Sequence, residues 1–262
     1  MKTRLDAELV RRGLARSREA ATDLIAAGNV LVSGMPASKA ATQVDAETSI
    51  TLKDDHAEFV SRGGHKLAGA LDKFTQIDVS GKTALDAGAS TGGFTDVLLK
   101  RGAKKVVAVD VGYGQLAWEL QKDTRVKILD RVNVRNLTSA QVGEEIDLVV
   151  ADLSFISLKL VLPALISVAK EGADFLVMVK PQFEVGKEKL GAGGVVRDVH
   201  LRKEAVVAVA DAAFALTLGT LGVVASPLPG PSGNVEYFLW LRKGAPALLE
   251  VDLDLAIEKG PA

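Results

Sequence analysis

Two lysines and two carboxylates stand next to predicted strand ends or loops, and together they could carry acid–base chemistry. Lys66 begins a predicted helix, Asp152 and Lys180 each follow an apolar run, and Glu236 enters the last predicted strand. A charged group beside an apolar run is costly unless it is paired, so a salt-bridged strand terminus is the structural alternative to a functional role. A lysine whose pKa is lowered by a second lysine and by partial burial can deprotonate a weakly acidic hydroxyl, although nearby carboxylates act in the opposite direction. The four residues therefore predict a proton-transfer site.

A glycine-rich loop between a predicted strand and a predicted helix indicates a nucleotide-type cofactor site. Ligands of α/β sheets bind outside the carboxyl ends of the strands. Pyrophosphate-binding loops carry a glycine where this loop has Ser90. We therefore expect a cofactor that binds through an amino-acid group and has no phosphate, namely S-adenosylmethionine. The predicted cofactor contacts are Asp86, Gly88, Ala89, Ser90, Thr91, Gly92, Gly93, Phe94, Asp110, Val111 and Asn133.

Three of these cofactor contacts are given specific roles by their positions at or after strand ends. We expect Asp86 to hold the ammonium group of the ligand and Asp110 to accept hydrogen bonds from its ribose. Asn133 follows the third predicted strand, where it could lie beside the adenine.

Strand-like and helix-like segments alternate after residue 60, which predicts a mostly parallel sheet with helices on both faces. The predicted strands are 83–87, 106–110, 126–129, 146–151, 175–179, 222–225 and 235–241. The predicted helices are 65–74, 93–101, 114–121, 158–169 and 199–217. Residues 226–233 leave no room for a helix between the last two strands, so these must form an antiparallel edge hairpin. The predicted fold is a Rossmann-like class I methyltransferase sheet of seven strands, preceded by a small α+β domain.

Residues 1–60 are predicted to form a separate basic domain with a linker, and residues 61–262 the catalytic domain. Two short helices and two strands are expected in the first part, with arginines around the helix junction. Arginine forks suit phosphate, so the expected partner is a polyanion. Residues 3–52 resemble the small RNA-binding domain shared by a small-subunit ribosomal protein and many pseudouridine synthases. The predicted RNA contacts are Arg4, Arg11, Arg12, Arg16 and Arg18.

Composition excludes several other classes of site. The chain has no cysteine, so thiolate catalysis and disulfides are excluded, and a reducing cytoplasm is the expected location. Its three histidines lack the spacing of metal ligands, and no metal is expected. The apolar stretch 205–226 contains Asp211 and two glycines, so we interpret it as a buried helix running into a strand. Stable membrane association is not expected.

The chain resembles the TlyA family of rRNA 2′-O-methyltransferases, historically also called hemolysins, whose catalytic domain is similar to FtsJ-type RNA ribose methyltransferases. The matching segments are 61–67, 86–95, 110–116, 152–157, 179–184 and 229–238. The FtsJ-type Lys-Asp-Lys-Glu set falls on Lys66, Asp152, Lys180 and Glu236. The resemblance implies methylation of cytidines in 16S or 23S rRNA. Lys180 is the expected general base, with Lys66 orienting it and the two carboxylates positioning the lysines.

Three other functions remain open at this point. The family's older name raises a membrane-active cytolysin. The glycine-rich loop alone is compatible with a nicotinamide oxidoreductase, although Ser90 argues against it. An RNA-binding assembly factor with idle catalytic residues would need the same basic domain.

Overall fold

The structure is a computed structural model that describes residues 2–15, 17–26, 28–45, 47–52, 58–230 and 232–260. The chain divides into two compact units, Met1–Glu58 and Phe59–Ala262.

The first unit combines two short helices with short antiparallel strand pairs. Its elements are β1 (Thr3–Arg4), α1 (Leu5–Arg11), α2 (Arg18–Ala26), β2 (Val30–Val32), β3 (Met35–Pro36), β4 (Gln43–Val44) and β5 (Ile50–Leu52). β2 pairs with β3 and β5, and β1 pairs with β4. Gly13 and Gly28 follow the two helices with positive φ, as expected of helix stops. Leu5, Leu9 and Val30 are fully buried in the core of this unit.

The second unit alternates helices and strands along most of its length. Its first half contains α3 (Arg62–Lys73), β6 (Thr83–Ala87), α4 (Gly93–Lys100), β7 (Lys105–Asp110), α5 (Trp118–Lys122), β8 (Val126–Asp130) and α6 (Ser139–Val142). Its second half contains β9 (Ile146–Ala151), α7 (Leu158–Val168), β10 (Ala169–Val179), α8 (Pro181–Glu184), α9 (Val199–Ala215), β11 (Leu218–Ala225), β12 (Tyr237–Lys243) and α10 (Glu250–Glu258).

One seven-stranded sheet, in the order β11-β12-β10-β9-β6-β7-β8, organises this unit. The five strands from β10 to β8 run parallel, because β10 pairs with β9, β9 with β6, β6 with β7 and β7 with β8 in parallel register. β12 is antiparallel to both β10 and β11. The predicted parallel sheet and its antiparallel edge hairpin are therefore confirmed. Apolar side chains cover both faces of the sheet and form two large buried clusters.

Several element boundaries differ from the predicted ones for local reasons. Helix 114–121 was expected to begin at Gly114, which instead takes a left-handed φ of +64°, and only the segment Trp118–Lys122 is helical. The apolar stretch 205–226 divides into the end of α9 and the strand β11, as interpreted. Three helices, α6, α8 and α10, were not predicted. The first two have four residues each, too short to show a helical period.

Among the described residues, we find no helix with both the length and the apolar character needed to cross a membrane.

Candidate active site

The register of three neighbouring strands brings three of the four predicted catalytic residues to one edge of the sheet. Ala151 at the end of β9 lies opposite Val177 of β10, so Asp152 and Lys180 leave their strands side by side. Val179 lies opposite Tyr237 of the antiparallel β12, which places Glu236 next to Lys180. The antiparallel hairpin is what makes this possible, because it lets the start of one strand meet the ends of the others.

Lys66 reaches this edge from helix α3 and forms a buried ion pair with Glu236. Its Nζ lies 2.6 Å from Glu236 Oε2, and the two side chains are 9% and 1% exposed. A buried charge without its partner at either position would cost about 3–5 kcal/mol, so each side chain holds the other in place. Gln182 Nε2 also donates to Glu236 Oε1, at 3.4 Å.

Lys180 forms the second ion pair, with Asp152, in a more open setting. Its Nζ lies 2.5 Å from Asp152 Oδ1, and the side chains are 11% and 23% exposed. Lys180 Nζ also donates to Ser154 Oγ at 3.0 Å. The amine is thus held between a carboxylate and a hydroxyl at the point where the site opens to solvent.

A cavity of about 240 Å³ joins these ion pairs to the glycine-rich loop. Lys66, Asp152 and Lys180 line it together with loop residues Gly88, Ala89, Ser90, Thr91, Gly93 and Phe94. Gly88 has a φ of +88°, and a Cβ there would lie 2.5 Å from the backbone oxygen of Asp152. The loop can therefore pack against Asp152 only with glycine at this position. The structure brings the predicted loop and the predicted ion pairs to one cavity.

A second cavity of about 500 Å³ continues from the first along the ends of β7 and β8. Asp110, Val111 and Asn133 line it, and Gly88, Ser90, Asp152 and Ser154 border both cavities. Asp110 Oδ2 accepts from Ser90 N at 2.8 Å, and Oδ1 accepts from Gly112 N at 2.7 Å. Each carboxylate oxygen can accept more than one hydrogen bond, so Asp110 keeps acceptor capacity for ligand hydroxyls.

Asp86 is expected to hold the ligand ammonium, but it does not line either cavity. The residue is fully buried, and its Oδ2 accepts from Thr95 Oγ1 at 2.7 Å. Burial, together with the nearby Asp152 carboxylate, raises the pKa of Asp86 to about 7. The strand position was read correctly, but the side chain of a residue at this point of β6 turns under the loop. Asp86 Oδ1 has no hydrogen-bond partner among the described residues, so its role toward a ligand ammonium stays a prediction.

Gly92, at the start of α4, supports the loop from within the protein. It takes a φ of +97°, and a Cβ there would lie 2.3 Å from Leu120 Cδ1. Gly92 does not line the cavities, so we expect it to support cofactor binding through the backbone conformation of the loop.

A third and larger cavity, of about 820 Å³, opens on the other side of Lys180. Its walls include Phe155, Phe183, Gln182, Asn234 and Glu236. The Phe155 and Phe183 rings lie 5.1 Å apart. Phe155 is 91% exposed and has a φ of +63°, which is rare for a bulky residue.

Glu184 connects the two loops that carry Asp152 and Lys180. Its Oε2 accepts from Ser157 Oγ at 2.6 Å, and its Oε1 accepts from Leu158 N at 2.8 Å, at the start of α7. Burial raises the pKa of Glu184. The site residues predicted from sequence do not include Ser154, Phe155, Gln182 or Glu184. They lie inside the motifs 152–157 and 179–184, which was the available signal.

The basic end of the first unit is built around two buried carboxylates. Asp6 Oδ2 forms ion pairs with Arg4 Nη2 and Arg18 Nη2, at distances of 3.0 and 2.8 Å. Glu8 Oε1 forms ion pairs with Arg11 Nη2 and Arg12 Nε, at distances of 2.6 and 2.7 Å. These hydrogen bonds, from Arg11 first and then Arg12, lower the pKa of Glu8 to about 2.

The four arginines differ in how much of each remains available to a partner. Arg11 and Arg18 are 61% and 59% exposed, and Arg4 is 46% exposed. Arg12 is 22% exposed and also donates to the backbone oxygens of Thr48 and Asp45. Its guanidinium is therefore committed to internal contacts. Arg16, the fifth predicted RNA contact, lies outside the described residues.

Comparison with known proteins agrees with this architecture. Residues 59–243 match the FtsJ-like methyltransferase family, and residues 3–50 match the S4 domain family. The chain is 58% identical, over 99% of both chains, to a Mycobacterium tuberculosis protein named 16S/23S rRNA (cytidine-2'-O)-methyltransferase TlyA. It is 37% identical to Hemolysin A of Brachyspira hyodysenteriae, over 89% of this chain and 97% of the relative.

A solved structure from Streptococcus thermophilus, described as a hemolysin, superimposes with a TM-score of 0.80. The two proteins are 36% identical, and the match covers 98% of this chain and 95% of the other. The methyltransferase domain implies a methyl donor of the S-adenosylmethionine type. The chain belongs to the TlyA family and consists of an S4 domain followed by an FtsJ-like methyltransferase domain.

Proposed function

We propose that this protein transfers a methyl group from S-adenosylmethionine to the 2′-hydroxyl of a cytidine in 16S or 23S rRNA. The observation that carries the proposal is the meeting of two lysine–carboxylate pairs with the glycine-rich loop at one cavity. The TlyA relative of M. tuberculosis, whose name states this reaction, supports the choice of acceptor.

We assign to Lys180, in its neutral amine form, the acceptance of the proton of the attacking hydroxyl at Nζ, and the resulting ammonium would release that proton to solvent after transfer. Asp152 and Ser154 hold that nitrogen at the mouth of the cavity. Lys66 and Glu236 form a buried ion pair, and we assign to this pair the alignment of the hydroxyl. Because the reactants must be aligned before proton transfer is useful, most of the rate gain should come from positioning.

S-adenosylmethionine, when bound, supplies an electrophilic methyl group on a positively charged sulfur. We assign its amino-acid end to the cavity lined by Ala89, Thr91, Gly93 and Phe94. Asp110, Val111 and Asn133 would hold its nucleoside end in the adjoining cavity. Asp86 would act from beneath the loop, through its hydrogen bond to Thr95.

RNA phosphates are the partner that we assign to the exposed arginines Arg4, Arg11 and Arg18. Phosphate contacts fix register and leave the choice of nucleotide to the catalytic domain. We keep residue 60 as the working boundary between the RNA-binding and catalytic parts of the chain. Ribosomal subunits in the cytoplasm are the expected substrate.

The decisive test replaces Lys180 with alanine. We expect Lys180→Ala to lower methyl transfer to rRNA by about 100-fold or more, as removal of a general base does. Binding of S-adenosylmethionine, measured by calorimetry, should be nearly unchanged. Lys104→Ala is the matched control, because Lys104 is exposed and lines none of the three cavities. Full transfer by the Lys180 variant would remove its assigned role.

The substrate is tested separately by mapping 2′-O-methyl groups in rRNA from cells with and without this protein. A site that is methylated only when the protein is present identifies the nucleotide. The cytolysin hypothesis rests on the hemolysin names of relatives, and no feature of the described residues favours it over methyl transfer. Unchanged methylation at every position would contradict the proposed function.

A further inference from the structure

The cavity beyond Lys180 contains a polar group that the proposed chemistry does not use. Gln182 lines this cavity of about 820 Å³. Its Oε1 is buried and has no hydrogen-bond partner among the described residues. A buried acceptor without a partner costs free energy, so this oxygen needs a partner that a ligand, an ion or a water molecule could supply.

Asn234, Ser157 and Ser154, which also line this cavity, already have hydrogen-bond partners, and Ser232 is exposed. Asn234 Oδ1 accepts from Val196 N at 2.9 Å, and its Nδ2 donates to Gly194 O at 3.0 Å. Ser157 donates to Glu184, and Ser154 accepts from Lys180. Among the described residues that line this cavity, Gln182 is thus the one with a buried side-chain atom that has no hydrogen-bond partner.

Gln182 lies where it could contact the base of a nucleotide whose ribose is at the amine of Lys180. Lys180 lines both this cavity and the one next to the glycine-rich loop. A nucleotide with its 2′-hydroxyl at Lys180 Nζ can therefore place its base in the larger cavity. Ile156, Phe183 and Leu190 give that cavity apolar walls for the faces of a base.

We propose that Gln182 reads the Watson–Crick edge of the target base and selects cytosine over uracil. The inference rests on the proposed function, since it names the residue that chooses the nucleotide. Cytosine offers an amino donor at N4 and an acceptor at N3. A carboxamide complements this pair, with Oε1 accepting from N4 and Nε2 donating to N3.

Glu236 determines which of the two bases Gln182 prefers. Uracil offers an acceptor at O4 and a donor at N3, so a glutamine turned by 180° about its last bond would complement uracil equally well. That turn would point Oε1 at Glu236 Oε1, which now accepts from Gln182 Nε2 at 3.4 Å. A carboxylate only accepts, and Lys66 holds this one in place at 2.6 Å. The catalytic ion pair therefore fixes the amide in the orientation that fits cytosine.

The test measures kcat/KM on ribosomal subunits whose mapped target nucleotide is cytidine or has been changed to uridine. Gln182→Met keeps the length of the side chain and removes its hydrogen bonds. We expect the unaltered protein to prefer cytidine by about 5- to 150-fold, the range of one bidentate contact. In Gln182→Met that ratio should fall toward one, mainly through slower transfer to cytidine.

Two further measurements separate base choice from a general loss of structure. Gln182→Ala is the second variant, because it removes the carboxamide without adding bulk, and its ratio should fall as well. Binding of S-adenosylmethionine to both variants should match that of the unaltered protein. Gln76→Met is the matched control, since Gln76 is exposed and lines none of the three cavities.

Each outcome decides one question. An unchanged cytidine-to-uridine ratio in the two variants overturns the inference. Loss of all transfer to both nucleotides in both variants also overturns it, because Gln182 would then serve catalysis or folding instead of base choice. If the unaltered protein methylates neither subunit, it is the proposed function that fails.

Discussion

Lys66 and Lys180 meet their carboxylate partners in different surroundings. The two lysine side chains are almost equally enclosed, at 9% and 11% exposed, and the difference lies in their partners, since Glu236 is 1% exposed and Asp152 is 23% exposed. Enclosure favours a fixed structural pair, since removing one partner leaves a buried charge at a cost of about 3–5 kcal/mol. A proton acceptor needs access to the substrate hydroxyl. This contrast is why we assign proton transfer to Lys180 and alignment to Lys66.

Asp86 provides a residue-scale prediction about pH. Burial raises its pKa from 3.8 to about 7, so the folded protein binds this proton more tightly than the unfolded chain does. The free energy of unfolding should therefore fall as pH rises from about 4 to 7, and the loss is complete above the folded pKa.

The variant Asp86→Asn isolates this effect, because asparagine has nearly the same shape and stays neutral. Between pH 5 and pH 8 the wild type should lose roughly 2–3 kcal/mol of stability relative to the variant. Chemical denaturation at the two pH values measures the difference. Thr95 Oγ1 can still donate to the asparagine oxygen, so the loop is preserved. Equal stability differences at both pH values would contradict a raised pKa at Asp86.

At the scale of elements, Glu184 joins the start of α7 to the end of α8. A single side chain accepts from both Ser157 Oγ and Leu158 N, so it caps one helix while belonging to another. Phe155 lies between Asp152 and this anchor, in a left-handed conformation that the surrounding loop must maintain.

Glu184→Ala should therefore lower stability by about 1–3 kcal/mol, because it leaves the buried Leu158 N–H without its acceptor. It should also lower kcat/KM for rRNA, since the loop with Asp152 and Phe155 loses its anchor. Glu184→Gln is the conservative control, because its oxygen can still accept from Leu158 N and so should restore most of both properties. Thermal melting and methyl-transfer assays measure the two effects. A fully active alanine variant would show that the loop needs no anchor.

The sheet could be predicted from sequence because its strands are apolar runs separated by turns. The edge hairpin followed from the absence of space for a helix between β11 and β12, and its register explains why Glu236 meets Lys180. The short helix α8 could not be predicted, since four residues show no helical period. Gln182 and Glu184 act from this helix, and their roles depend on which loops it faces.

Asp86 shows the corresponding limit within a correctly predicted strand. Sequence placed it near the end of β6, beside the loop, where the structure also has it. Whether a side chain at that point faces the ligand or the interior depends on how the loop folds over it. The loop packs against the Asp152 backbone at Gly88, and the Asp86 side chain is fully buried and accepts a hydrogen bond from Thr95. Strand position can therefore be predicted from sequence more easily than side-chain direction.

At the scale of the whole molecule, charge is distributed unevenly. The formal net charge is −1, yet four arginines of the first unit, Arg4, Arg11, Arg12 and Arg18, form ion pairs with two carboxylates, Asp6 and Glu8. Each buried carboxylate holds two guanidinium groups, so a net positive charge remains at each pair. Buried acids that arrange exposed cations give a surface suited to phosphate.

This arrangement predicts a salt dependence that is located in the first unit. Each phosphate contact contributes about −0.7 to −0.9 to the slope of log K against log salt concentration. Arg11 and Arg18 are the two most exposed of these arginines. The double variant Arg11→Gln with Arg18→Gln should therefore reduce the magnitude of the slope of log K against log salt concentration for rRNA binding by roughly 1.4–1.8. Filter binding across a range of KCl concentrations measures the slope, and S-adenosylmethionine affinity should not change.

Lys243→Gln is the control for a general loss of positive charge. Lys243 is 45% exposed and lies at the end of β12 away from Glu236, where it pairs with Glu171. Its replacement removes one positive charge far from the cavities, and the salt slope should remain that of the unaltered protein. If the arginine variant and this control change the slope equally per charge removed, RNA responds to net charge alone. In that case the guanidinium groups held by Asp6 and Glu8 do not form the RNA contact.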